Sequence, residues 1–140
     1  MPKVVIYTDG GARGNPGPAG AGAVMYDEYG VVLKEVSDYL GETTNNVAEY
    51  EALIRILAAA HEHFGHQLSQ ISVEIRMDSE LIVRQMEGKY KVKAPGLRPR
   101  FTEVKRLLQH FPHHSFTHVP REENTEADRL VNEAIDRGAV

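Results

Sequence analysis

A short buried strand that ends in an acid, followed by a run almost without side chains, constrains this chain more than any other stretch. Val4–Asp9 reads VVIYTD, an apolar and β-branched run that predicts a central strand. The next segment, Gly10–Gly22, holds six glycines and two prolines, which argues against a helix or a regular strand over most of its length. A carboxylate at the end of a core strand is costly unless a cation, a proton or hydrogen bonds compensate it. Asp9 therefore raises the question of whether other carboxylates meet it at one place.

Hydrophobic periodicity and helix-boundary residues predict alternating strands and helices along the rest of the chain. The turn at 27–30 joins two runs closely enough for an antiparallel hairpin. Thr43 or Thr44 is a suitable N-cap for a long helix rich in Ala and Leu. The predicted strands after the first are Ala21–Asp27, Val31–Tyr39, Ile71–Met77 and Ser115–Val119. The predicted helices are Asn45–His63, Ser79–Met86 with Asp78 or Ser79 as its cap, Arg100–Phe111, and a last helix capped by Asn124 or Thr125 and running to about Arg137, with a loop at Gly65–Ser69. This order predicts an α/β fold, a mixed sheet with helices on its faces.

Positive charge is concentrated in one stretch of an otherwise acidic chain. The formal net charge is −4, yet residues 84–106 contain eight basic and two acidic side chains. Such segregation points to one surface that faces a polyanion. A solvated helix face and loop would give the same pattern, and both interpretations stay open at this point.

Composition excludes several classes of site. The 140 residues include no cysteine, which rules out disulfides, thiolate chemistry and zinc sites built on cysteine. No apolar run reaches the length of a membrane span, and the first residues lack the apolar core of a signal peptide. We expect one domain covering 1–140, a cytoplasmic location and no membrane partner.

Four carboxylates occupy positions that suit a divalent-metal site. Asp9 and Asp78 each end a predicted central strand, so both emerge at the same sheet edge if those strands are parallel neighbours. Glu49 shares a helix face with core residues such as Ala52, and Asp128 lies in the first turn of the last helix. Mg²⁺ prefers oxygen ligands, and two such ions roughly 3.5–4 Å apart can hold both reacting oxygens of a phosphoryl transfer. For Asp78 or Asp128 taken alone, a helix-cap role is the simpler interpretation.

Four sequence blocks resemble the signature motifs of type 1 ribonuclease H, in the same order and at compatible distances. They are TDGGARGNPGPAGAG at 8–22, TNNVAEYEAL at 44–53, MDSEL at 77–81 and REENTEADRL at 121–130. The first two blocks are highly specific, whereas an Asp-Ser pair alone is not. The resemblance covers nearly the whole chain. It implies the RNase H-like fold, a mixed five-stranded sheet flanked by helices, with the first three strands antiparallel.

The same resemblance implies an activity, a cofactor and a set of site residues. The implied reaction is endonucleolytic, two-metal-ion hydrolysis of the RNA strand of an RNA–DNA hybrid, with Mg²⁺ or Mn²⁺, leaving 5′-phosphate and 3′-hydroxyl ends. By motif, the catalytic metal ligands are Asp9, Glu49, Asp78 and Asp128. The expected substrate contacts are Gly10, Gly11, Asn15, Asn45, Asn46, Ser79, Lys89, Lys91, Lys93, Arg121 and Asn124. Short amides and backbone groups suit a hybrid minor groove, and helix N-termini suit phosphates.

Two departures from the family pattern affect these expectations. Many members carry a histidine in the loop before the last helix, but residues 119–124 contain none. Either Arg121 or His118 takes its place, or no residue does. The chain also has no tryptophan, and Gly88–Pro99 is too short for the basic protrusion of the better-known forms. The chain is therefore more similar to forms that lack the protrusion, with Lys89–Lys93 as a partial substitute. Since such forms can cut duplex RNA, that RNA is a second candidate partner.

Two alternatives to a hybrid nuclease are left by the sequence. A non-catalytic module that binds hybrids would show no metal-dependent cleavage, and the presence of all four acids argues against it. Another nuclease of the same superfamily, such as a junction resolvase, would prefer a different nucleic acid, which the TNNVAE block disfavours. In each case we expect the protein to act as a monomer.

Overall fold

The chain folds into a five-stranded mixed sheet in the order β3-β2-β1-β4-β5, as the resemblance implied. The structure is a computed structural model that describes residues 1–139. In chain order its elements are β1 (Lys3–Ala12), β2 (Gly17–Tyr26), β3 (Val32–Thr43), α1 (Asn45–Phe64), β4 (Ser72–Met77), α2 (Glu80–Met86), α3 (Arg98–Leu108), β5 (His114–His118) and α4 (Thr125–Gly138). Short 3₁₀ helices lie at Gly65–Gln70 and Arg121–Glu123.

Strand β1 is the centre of the sheet, as its apolar sequence predicts. Its alternate residues Val4, Ile6 and Thr8 are buried on one face. The strand pairs antiparallel with β2 and parallel with β4, and the parallel ladder ends with Thr8 opposite Met77. Parallel strands end at the same edge of a sheet, so the residues that follow this last pair, among them Asp9, emerge side by side. The condition under which Asp9 and Asp78 emerge at one edge, that β1 and β4 are parallel neighbours, is therefore met.

The expectation that the glycine-rich run would interrupt regular structure was wrong for most of its length. β1 continues to Ala12 and β2 begins at Gly17, so only residues 13–16 form a connection. The glycines are required because helices lie directly against these strands. An added Cβ at Gly10 would lie 2.3 Å from the Glu49 nitrogen, and one at Gly22 would lie 2.3 Å from the Ala127 carbonyl oxygen. The missing side chains thus make room for α1 on one face of the sheet and for α4 on the other.

Helix α1 is the predicted long, buried helix. It begins after Thr44, whose Oγ1 accepts a hydrogen bond from the Val47 N–H at 3.2 Å, so the predicted cap is confirmed. Its core-facing residues are Ala48, Tyr50, Ala52, Leu53, Ile56, Leu57 and Ala60. Within residues 1–139, none of the helices combines the length and the apolar character needed to cross a membrane.

Several predicted boundaries differ from the structure, among them the end of β3, which extends to Thr43 beyond the predicted Tyr39. Helix α3 begins at Arg98 rather than Arg100 and ends at Leu108 rather than Phe111. The earlier start is possible because Pro99 lies in the first helical turn, where its missing N–H costs no hydrogen bond. The predicted loop after α1 is instead a 3₁₀ helix. None of these shifts moves an acidic residue away from the sheet edge.

Candidate active site

The four predicted acids line one cavity at the carboxyl end of β1 and β4. Asp9 lies in β1, Asp78 follows β4, Glu49 lies in the second turn of α1, and Asp128 lies in the first turn of α4. The cavity has a volume of about 520 Å³. Because each acid comes from a different element, the tertiary fold brings them together.

Asp9 is the most electrostatically strained member of this group. Burial, followed by the negative charges of Asp78, Glu49 and Asp128 in that order, raises the pKa of its carboxyl from 3.8 to about 8. The Gly10 N–H, which donates a hydrogen bond to Asp9 Oδ1 at 2.9 Å, opposes the shift. An ionised Asp9 therefore needs a positive charge that its immediate surroundings do not supply.

Glu49 and Asp78 show the same tendency with stronger opposing contacts. Burial raises the pKa of Glu49 to about 7, while a hydrogen bond from the Ser79 hydroxyl opposes the shift. Burial also raises the pKa of Asp78, and its own backbone N–H, then the positive charge of Arg121 and the nearby Asn124 amide, work against that rise. Each of these half-buried carboxylates thus has a partial compensation, and within residues 1–139 none of them forms an ion pair.

The donor set fits a hard divalent cation that keeps much of its own coordination shell. Glu49 Oε2 is buried and has no hydrogen-bond partner among the described residues, which leaves one carboxylate oxygen available to a ligand. Across residues 1–139, no three His, Cys, Asp or Glu side chains converge as a ready-made metal cage. Mg²⁺ commonly takes only one or two carboxylates together with waters and substrate phosphates. The site therefore suits ions completed by water and substrate.

Two of the predicted substrate contacts also join the glycine-rich connection to α1. The Asn45 N–H donates to Asn15 Oδ1 at 3.0 Å, and the Ala12 N–H donates to Asn45 Oδ1 at 2.8 Å. The oxygen of each amide is thereby used within the protein, and the Nδ2 group of each is the atom left for a substrate. Asn46 is exposed beside them at the start of α1, and Gly11 lines the cavity.

Gly10, Ser79 and Asn124 make contacts within the protein, and the Ser79 cap of α2 is one that the sequence predicts. Gly10 is buried, and α1 occupies the space of its absent side chain. Ser79 Oγ caps α2 by accepting from the Ile82 N–H at 3.3 Å. Asn124 is only 1% exposed, and its Nδ2 donates to the Thr8 carbonyl at 2.8 Å. Gly10 nevertheless lines the cavity of the four acids, whereas Asn124 is not among the residues that line it.

Arg121 and His118, the two candidates for the role of the missing histidine, lie in different places. Arg121 lines the cavity of the four acids and is close enough to Asp78 for its charge to lower that pKa. His118 is exposed on β5, opposite Met77, and is not among the cavity-lining residues. The structure therefore places Arg121, and not His118, beside the acids.

The predicted basic contacts lie outside the acid cavity. Lys89, Lys91 and Lys93 are exposed in the connection between α2 and α3, which we call the lysine segment (Lys89–Lys93). Two of these lysines line a separate groove of about 500 Å³ with Tyr90. Lys89 also pairs with Glu87 at 3.3 Å, and its side chain is 56% exposed.

Two polar residues that line the cavity, Arg13 and Asn132, were not predicted from the sequence. Arg13 Nη2 pairs with Asp136 at 2.7 Å and donates to Asn132 Oδ1 at 3.3 Å, both on α4. It lines the same cavity as the acids. The signal was present, because Arg13 is the only charged residue between Asp9 and Asp27.

Comparisons with known proteins agree with this arrangement. A family model described as reverse transcriptase-like matches residues 7–134. The chain is 43% identical over 134 residues to ribonuclease HI of Halobacterium salinarum, covering 96% of this chain and 65% of that protein. It is 45% identical over 138 residues to a bifunctional protein of Mycobacterium tuberculosis, covering 98% of this chain. The chain spans only 36% of the length of that mycobacterial relative.

A solved structure is similar over the full length of both chains. LC11-RNase H1, isolated from compost by a metagenomic approach, superposes with a TM-score of 0.93 at 58% identity and covers 100% of each chain. Another structure of that protein, in complex with an RNA/DNA hybrid, gives a TM-score of 0.92 at 57% identity and covers 98% of this chain and 99% of that one. The sheet order, the four acids in one cavity and these similarities lead to one conclusion: the chain belongs to the type 1 ribonuclease H family.

Proposed function

We propose that this chain is a ribonuclease H, a divalent-metal-dependent endonuclease that hydrolyses the RNA strand of RNA–DNA hybrids. The observation that carries the proposal is the single cavity lined by Asp9, Glu49, Asp78 and Asp128. Burial makes ionisation of Asp9 and Glu49 unfavourable without added positive charge. The relative LC11-RNase H1, known in complex with an RNA/DNA hybrid, supports the choice of substrate.

The four acids are the residues that would hold two divalent cations, Mg²⁺ or Mn²⁺. When bound, such ions lower the pKa of a water molecule and stabilise the attacking and leaving oxygens of the reaction. The unpartnered Glu49 Oε2 and the high pKa of Asp9 support this assignment. Ser79 would keep the Glu49 carboxylate oriented through its hydroxyl hydrogen bond.

The reaction is a hydrolysis at phosphorus. A water oxygen bonds to the scissile phosphorus, the bond to the 3′ oxygen breaks, and a proton is transferred to that oxygen. The products carry a 5′-phosphate and a 3′-hydroxyl. Arg121, beside Asp78 in the cavity, would bind the scissile phosphate, since a guanidinium presents several donors to phosphate oxygens.

Residues around the cavity would align the hybrid. The Nδ2 groups of Asn15 and Asn45, the exposed Asn46 side chain and the backbone at Gly11 are placed to contact a minor groove. The lysine segment would contact backbone phosphates farther from the scissile bond. We further propose one RNase H domain over 1–140, a monomer and a cytoplasmic location, as expected from the sequence.

Cleavage of three labelled duplexes tests the proposal directly. The RNA–DNA hybrid, duplex RNA and duplex DNA are each incubated with the protein and Mg²⁺ or Mn²⁺, with EDTA as the control. We expect RNA cleavage in the hybrid that EDTA abolishes, with products that a ligase requiring 5′-phosphate can join. An intact hybrid in both metals, with well-folded protein, would contradict the proposal. Binding without cleavage would identify a non-catalytic module, and cutting of duplex RNA would reveal a second substrate.

A further inference from the structure

The segment between β5 and α4 is hydrogen-bonded to the carboxyl ends of β1 and β4, the strands that lead to Asp9 and Asp78. The Val119 N–H donates to the Met77 carbonyl at 2.9 Å, and Asn124 Nδ2 donates to the Thr8 carbonyl at 2.8 Å. Thr8 and Met77 form the last pair of the parallel ladder between β1 and β4. The next residues along the two strands are Asp9 and Asp78. Residues 119–124 therefore lie across the sheet edge from which these acids emerge.

Asn124 connects this edge to two further cavity residues through its backbone. Its N–H donates to the Arg121 carbonyl at 3.0 Å, and its carbonyl accepts from the Asp128 N–H at 3.1 Å. Its side chain holds Thr8, the neighbour of Asp9. The hydrogen bonds of Asn124 thus connect the backbone next to Asp9 with the backbone of Arg121 and of Asp128.

The Asn124 side chain does not cap α4. Asn124 occupies the N-cap position of the helix, where an asparagine oxygen commonly accepts from the first-turn N–H groups, but its side chain makes no such bond. Its Oδ1 is buried and has no hydrogen-bond partner among the described residues. Both features cost local stability. The bond to Thr8 is made at the expense of the helix cap.

We infer that Asn124 is a positioning residue, which holds Arg121 and Asp128 in register with Asp9 at the β1–β4 edge. This inference rests on the proposed hybrid cleavage. Direct contact with substrate is excluded by the 1% exposure of Asn124. Partners one step removed from a metal or substrate orient the groups that do make contact, and small displacements there lower activity strongly.

Two substitutions separate this role from ordinary stabilisation. Asn124→Leu keeps the number and branching of the side-chain heavy atoms and removes both the donor and the unpartnered acceptor. Asn124→Ser keeps a good N-cap residue for α4, but its shorter side chain cannot place a donor where Nδ2 lies. The matched control is Ser37→Ala, because Ser37 Oγ donates to the Leu130 carbonyl at 2.7 Å and so ties the sheet to α4 away from the acids.

The measurements are kcat and KM on an RNA–DNA hybrid and the Mn²⁺ concentration that gives half-maximal thermal stabilisation without substrate. For both Asn124 variants we expect kcat to fall about 10- to 100-fold and the Mn²⁺ midpoint to rise by about the same factor, with KM within about twofold of wild type. Ser37→Ala should lower the melting temperature while leaving kcat and the Mn²⁺ midpoint unchanged.

The outcomes distinguish this inference from the proposed function. Wild-type kcat and Mn²⁺ midpoint in either Asn124 variant would overturn the inference, as would a rise in KM alone or a loss equal to that in Ser37→Ala. If the wild type shows the Mn²⁺ effect without cleavage, the proposed function fails and the Mn²⁺ midpoints still decide the inference. A wild type with neither cleavage nor an Mn²⁺ effect would overturn both.

Discussion

Strands β1 and β4 each carry a carboxylate whose pKa is shifted, and the two shifts have opposite directions. Within β4, Glu74 pairs with Lys3 at 2.6 Å and with Arg76 at 2.8 Å. The hydrogen bond from Arg76, followed by those from Lys3 and Thr117, lowers the pKa of Glu74 from 4.5 to about 2. At the carboxyl end of the same pair of strands, burial and neighbouring acids raise the pKa of Asp9 from 3.8 to about 8.

The difference shows which carboxylates are neutralised by the protein itself and which are not. The Glu74 side chain is 13% exposed and is neutralised by side chains of its own chain, so it stabilises the fold. The acids around Asp9 share one cavity with only partial compensation. Groups of this kind cost folding free energy, and in the proposed enzyme a bound cation offsets that cost. Substitutions at the two places should therefore have opposite effects.

The largest expected effect is on cleavage. Asp9→Asn removes a charge that the proposed cations require, and we expect hybrid cleavage to fall by at least about 10³-fold, roughly 4 kcal/mol of transition-state stabilisation. Single-turnover cleavage in Mg²⁺ and in Mn²⁺ measures the effect. Asp38→Asn, at an exposed ion pair with Arg55, is the matched control and should cut like wild type. Cleavage within tenfold of wild type in Asp9→Asn would remove Asp9 from the catalytic site.

The next effect is on stability at the compensated place. Glu74→Gln loses charge-assisted hydrogen bonds from Lys3 and Arg76, and we expect the free energy of unfolding to fall by about 1.5–3 kcal/mol at pH 7. Because the folded pKa of Glu74 is lowered to about 2, its contribution is present above pH 4.5 and is lost as the pH falls toward 2. Urea unfolding at pH 7 and pH 3 measures the difference between the two proteins. A difference that does not shrink at pH 3 would show that packing, and not charge, accounts for it.

A smaller stability effect of the opposite sign is expected at Asp9. Because the folded pKa of Asp9 is raised, its protonated form favours the folded state. This contribution to the free energy of unfolding is fully present below pH 3.8 and is lost as the pH rises through about 8. In metal-free buffer, Asp9→Asn should match wild type near pH 3.5. It should exceed wild type by about 1 kcal/mol, a few degrees in melting temperature, near pH 8. Thermal melts across this range with EDTA test the trend. Adding Mn²⁺ should stabilise the wild type more than the variant, and equal melts at every pH would contradict the strain assigned to Asp9.

The elements and the sheet edge could be predicted because they depend on local rules. Periodicity identified β1 and α1, and the shared edge of parallel strands brought Asp9 and Asp78 together. The extent of β2 could not be predicted, because Gly22 is accommodated in a strand by the close approach of Ala127 on α4. From composition alone such a glycine predicts a break in regular structure. The reason for it, the close packing of α4, lies more than a hundred residues further along the chain.

The roles of individual polar residues in the site were harder to predict than the acids. An asparagine before a helix can cap it, contact a ligand or join two elements, and the sequence does not distinguish these. The partner of Asn124 is the Thr8 carbonyl, 116 positions earlier in the chain. Arg13 was overlooked for a similar reason, because its place in the cavity depends on the position of α4.

The smallest expected effect concerns the positive charges that do not neutralise the acids. The lysine segment lies outside the acid cavity, so its charges are available to a substrate. Replacing Lys89, Lys91 and Lys93 by Gln should raise KM several-fold and reduce its salt dependence, because each lost phosphate contact lowers the slope against log salt by at most about 0.9. Since the acids are untouched, kcat should stay unchanged. Lys34→Gln, at a lysine on β3, is the control. An unchanged slope in the triple variant would show that the segment is only a solvated surface, and a fall in kcat would show that the acid cavity depends on charges outside it.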